Sequence, residues 1–126
     1  MEVGGMSTLI EIGSKKYNSA EYTSPSNRTF RNAWAAPQAG SDVIQINMAA
    51  AKDIWRDKIR QARIDPLASL DTAYMKAIEQ GNTSEQTSIA TQKQALRDAP
   101  ATSAIDAALT PEELKAVQPI PNVTID

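Results

Sequence analysis

Apolar residues recur at steps of three and four through Ala51, Trp55, Ile59, Ala62, Pro66, Leu70, Ala73, Tyr74 and Ala77, marking one stripe along a helix. Asn47 precedes the stripe as a candidate N-cap, ahead of Met48-Ala49-Ala50-Ala51. Pro66 interrupts it, because proline lacks an N–H and its ring meets the carbonyl four residues back. The pattern therefore predicts a kink or two helices, with Asp65 capping the second. Gly81-Asn82 ends the stripe with residues suited to a left-handed C-terminal position. Thr83-Ser84-Glu85-Gln86 then reads as a capping box for a helix from Ser84 to Asp98, on which Ile89, Gln92, Lys93 and Leu96 form a narrow stripe. So short a turn sets the two helices antiparallel, and Pro100 closes the second.

On either side the period changes. Thr29-Phe30-Arg31-Asn32-Ala33-Trp34 alternates and would place Phe30 and Trp34 on one face of a strand, with Asp42-Val43-Ile44-Gln45-Ile46-Asn47 as its partner. Pro37 to Ser41 suits the loop between them. Leu9-Ile10-Glu11-Ile12 lies between glycines and reads as a brief strand or an arm that orders on another chain, and Lys15 to Asn27 reads as loop. Thr110-Pro111-Glu112-Glu113 is a helix start, with a cap, a proline at the first helical position and acids at the positive end of the dipole. This short helix has Leu114 and Val117 available to bury, and Pro119 and Pro121 are expected to hold the remainder extended. The expected fold class is mainly α. An arm or loop (1–28) and a small N-terminal β-hairpin (29–47) precede an antiparallel helical hairpin (48–100), followed by a short helix and tail (101–126), so that both termini are extended.

Composition makes the expected core thin. The chain has one Phe, two Trp and three Tyr, and alanine buries far less area than the Leu or Phe that each contribute about 1.5–3 kcal/mol. A partner that covers apolar faces would stabilise such a chain. Up to Arg63 there are nine Lys/Arg against six Asp/Glu, and beyond it four against nine, so opposite signs divide along the sequence. No basic run is interleaved with aromatics, which argues against nucleic acid. No apolar run approaches the roughly 18 residues of a membrane span, and no start resembles a signal peptide, so a soluble protein made in the cytoplasm is expected.

The chemistry is sparse. Cys and His are both absent, which removes thiolates, disulfides, the commonest metal ligand and the commonest general base. Asp53 and Asp57 lie one turn apart but sit among Lys52, Arg56, Lys58 and Arg60, so they read as an ion-pair ladder. No phosphate loop, nucleophile elbow or metal-ligand spacing is present. The sequence predicts no catalytic site, no cofactor and no metal. Its candidate functional residues are partner-binding ones: Leu9, Ile10 and Ile12 of the arm, Phe30 and Trp34 of the predicted hairpin, and Trp55, where an interface anchor competes with a core role.

Trp55-Arg56-Asp57-Lys58-Ile59-Arg60, Pro66-Leu67, Leu70-Asp71, Gly81-Asn82 and Gln92-Lys93-Gln94-Ala95-Leu96-Arg97-Asp98-Ala99-Pro100 together resemble short proteins of the tail-fibre region of tailed bacteriophages, including tail-assembly chaperone-type proteins. The segment from Asn27-Arg28 to Trp34, before Val43-Ile44, has a similar character, and the likeness covers about half of the chain. Chaperone-type members often carry a Trp and a Tyr ahead of the closing Leu-Arg-Asp, where this chain has Ala90 and Lys93. The resemblance implies a virion tail protein, made in the host cytoplasm and associated with a tail-fibre or baseplate protein in several copies per fibre. Its alternative is a transient assembly chaperone that is absent from the mature virion. It implies no catalytic residue and no cofactor.

Overall fold

The computed structural model describes residues 9–25 and 28–126. The first eight residues of the predicted arm, and Ser26 and Asn27 of the predicted loop, lie outside the described residues. The chain is mainly α and divides into two units, one ending at Ala51 and one running from Lys52 to Asp126.

The first unit opens with an antiparallel pair, β1 (Leu9–Ile12) and β2 (Lys15–Asn18), in which Ile10 faces Tyr17 and Ile12 faces Lys15. The turn is Gly13-Ser14, and Gly13 has φ 63°, the first central position of a type II′ turn, which glycine fills without strain. The predicted arm and loop are therefore a hairpin. The alternation Lys16-Tyr17-Asn18 had carried that signal, with Tyr17 turned inward.

The predicted strand from Thr29 to Trp34 is corrected. Arg31–Ala33 forms a 3-10 turn closed by the Ala33 N–H donating to the Phe30 carbonyl at 2.8 Å. The buried residues Phe30, Ala33 and Trp34 follow helical steps of three and four, and residues four apart satisfy both periods, so Phe30 and Trp34 alone could not distinguish them. The predicted hairpin survives only as two-residue strands, β3 (Trp34–Ala35) with β4 (Gln45–Ile46). Ile10, Tyr17, Trp34 and Ile44 make the core of this unit, with Ile12, Tyr22 and Ile46 packed against it. The Tyr17 and Tyr22 rings meet edge to face at 5.0 Å.

Three long helices follow: α1 (Met48–Ala62), α2 (Ile64–Glu79) and α3 (Thr83–Asp98). Asn47 caps α1, its Oδ1 accepting from the Ala50 N–H at 3.1 Å. Pro66 does split the stripe, since α1 ends at Ala62, the residue whose carbonyl its ring would strike. Pro66 itself lies in the first turn of α2, where its missing N–H costs nothing. Asp65 is no cap. Arg63 holds the N-cap position of α2 without a side-chain bond.

Between α2 and α3 the Asn82 N–H donates to the Ala77 carbonyl at 2.9 Å and the Gly81 N–H to that of Ile78 at 3.0 Å, the pairing of a Schellman motif, with Gly81 at φ 65°. Asn82 then caps α3, accepting from the Glu85 N–H at 3.0 Å. The predicted capping box was one residue late, because Thr83 is already helical. Gln86 instead donates to the Ala77 carbonyl.

The C-terminal part is less extended than expected. After a 3-10 turn at Ala99–Ala101 come α4 (Ser103–Ala107), which the sequence reading missed, and α5 (Pro111–Lys115), capped by Thr110 as predicted. Ile105, Leu114, Ile120 and Ile125 are buried. Pro121-Asn122 makes a turn in which Asn122 takes φ 64° and the Val123 N–H returns to the Ile120 carbonyl. Gln118 donates to the Ile125 carbonyl at 2.8 Å and accepts from its N–H at 2.7 Å, fastening the last residues.

Candidate functional site

The residues expected to meet a partner divide sharply. Leu9 is exposed (61%). Ile10 and Trp34 belong to the core of the first unit, with Ile12 packed against it, and Phe30 is fully buried. Arg31 lies 4.5 Å and Arg28 5.5 Å from the Trp34 ring, and Arg31 also donates to the Glu11 carbonyl. Trp55 is fully buried, and its Nε1 donates to the Val117 carbonyl at 2.9 Å. Of the six, the folded chain leaves Leu9 as the one fully available to another molecule.

The basic residues of α1 are occupied internally as well. Lys52 donates to the Asp106 carbonyl and Lys58 to that of Asp126, while Arg56 pairs with Asp106. The ladder appears as Arg56 with Asp53 and Arg60 with Asp57. Arg63 donates to the Arg97 carbonyl at 2.9 Å, at the C-terminus of α3 where a cation meets the negative end of the dipole. Sequence spacing could not show that these cations converge on segments more than thirty residues away.

Of the six large apolar side chains exposed among the described residues, three lie on α2, and Leu9, Val43 and Leu109 lie elsewhere. Ile64, Met75 and Ile78 are 55%, 59% and 47% exposed. With Ala68 and Asp71 they follow steps of four, three, four and three, one straight seam along the helix. Across the helix, Leu70, Ala73, Tyr74 and Ala77 are half-buried or buried, on the side toward α3 with its buried Ile89 and Leu96. An amphipathic surface helix needs one apolar stripe; α2 has two. The outer seam escaped the sequence reading because the stripe through Leu70 and Tyr74 accounted for the periodicity by itself.

Charges frame this seam. Asp71 lies within it and pairs at 2.6 Å with Lys93 of α3, whose ammonium also sits 5.3 Å from the centre of the Tyr74 ring. Asp65 and Glu79 line the far edge and form no ion pair among the described residues; Lys76 follows further round. Elsewhere a crevice of about 300 Å³ is lined by Pro66, Leu70, Leu96, Ile120 and Pro121. Among the described residues no group of His, Cys, Asp and Glu is placed to hold a metal ion, and no helix is long and apolar enough to cross a membrane. No protein-family model, curated protein or solved structure matches the chain.

Proposed function

We propose that this chain is a non-enzymatic structural protein of a bacteriophage tail, which binds a tail-fibre or baseplate polypeptide through the outer face of α2. The observation that carries the binding role is the second apolar stripe, Ile64, Ala68, Met75 and Ile78, on a helix whose other side is already packed. Covering a fully exposed side chain of this size is worth about 1.5–3 kcal/mol, so these half-exposed ones contribute to a contact that further surface must complete. The phage assignment rests on the resemblance carried by Trp55 to Arg60 and Gln92 to Pro100. Lys93, which stands where chaperone-type members often have an aromatic residue, is committed to Asp71 and Tyr74, and this favours a lasting subunit over a transient chaperone.

Coexpression with a candidate tail-fibre polypeptide tests the reading. A stoichiometric complex, and the presence of the chain in purified virions by mass spectrometry, are expected. Recovery of soluble fibre with no bound partner would assign the chaperone role instead, and no effect on the fibre at all would end the tail reading.

A further inference from the structure

We infer that the partner segment seated on α2 is itself an amphipathic helix with lysine or arginine along its edge. This rests on the reading of the outer face of α2 as the binding surface. The steps of four, three, four and three in Ile64, Ala68, Asp71, Met75 and Ile78 are those of a coiled-coil seam, which accepts another helix along its length. They suit a strand poorly, because a strand repeats its side chains every second residue.

The charges choose between candidate helices. A second copy of α2 meets like charge on this face. Parallel pairing in register brings Asp71, the middle position of the seam, against its own counterpart. Antiparallel overlap of the whole helix instead brings Asp65 beside Glu79 at both ends. A foreign helix with basic edges meets the same acids favourably. Asp65 and Glu79 hold no ion pair among the described residues, and the Asp71 carboxylate, bound on one side by Lys93, has capacity for a second cation.

Three labelled helical peptides with apolar residues at this spacing, and with Lys, Gln or Glu at the edge positions, test the inference by fluorescence anisotropy on the full chain. The Lys-edged peptide is expected to bind at least tenfold tighter than the Glu-edged one, and raised salt should narrow the gap. Asp65→Lys with Glu79→Lys should reverse the order. Met75→Asp should abolish binding of all three while circular dichroism stays unchanged. Equal affinity for the Lys and Glu peptides would overturn the inference. So would a concentration-dependent dimer in sedimentation that Met75→Asp dissolves, since the face would then belong to a second copy. Capture of the fibre protein by the Met75→Asp chain removes this surface but leaves the tail assignment intact. Binding of the Lys-edged peptide without any capture of the fibre protein does the opposite.

Discussion

The indole Nε1 of Trp55 donates to the carbonyl oxygen of Val117 at 2.9 Å, joining α1 to the segment that follows α5. One contact thus turns the residue best suited to anchor an interface into a core residue. It also explains why the last ten residues are not a free tail: Gln118, next to Val117, holds Ile125 through two hydrogen bonds.

Trp55→Phe keeps most of the buried ring but leaves the Val117 carbonyl without its donor. A loss at the lower end of about 1–3 kcal/mol is expected in urea denaturation, because Val117 is only half-buried. Trp55→Ala should cost about 3–5 kcal/mol. Equal stability of the Phe variant and the parent would show that the bond contributes nothing.

Trp34 offers the opposite case. Its Nε1 is buried and has no acceptor among the described residues. Trp34→Phe removes an unsatisfied donor while keeping an aromatic face beside Arg31, so stability should change by less than about 1 kcal/mol. A loss as large as that of Trp55→Ala in the same assay would contradict this.

Removing residues 119–126 exposes the sites of Ile120 and Ile125 and strips Gln118 of its partner. At about 1.5–3 kcal/mol for each isoleucine, the midpoint of thermal unfolding should fall markedly. A truncated chain that melts with the parent would mean that the tail only rests on the surface.

The turn between α2 and α3 separates cap from capping-box chemistry. Asn82→Ala should cost about 1 kcal/mol, whereas Thr83→Ala should be close to neutral. Gly81→Ala meets no atom within 4 Å of the added carbon, so its cost is conformational, about 1–2 kcal/mol for an L-residue at positive φ. If Thr83→Ala proves the costlier of the first two, the cap lies where the sequence pattern first placed it.

Helix starts and stops were legible where a local rule needs only neighbours. Asn47, Pro66, Gly81 and Thr110 each act within one turn, and three of the four helix starts or ends they mark carry a bond to a residue at most four positions away. The candidate site was not legible in that way. Hydrophobicity marks Trp55, Phe30, Trp34 and Met75 alike as surfaces to be covered, and it does not say by what.

The sequence by itself determined that this protein is mainly helical, where α1, α2 and α3 divide, and that Cys and His chemistry is absent. Those properties follow from backbone geometry and side-chain identity over a few residues. Only the tertiary structure decided which apolar groups are spent internally. Burial depends on segments distant in sequence, such as Val117 on Trp55 and Leu96 on the α2 side of α3. Once those contacts are made, α2 retains a seam at Ile64, Met75 and Ile78 that nothing in the described chain covers.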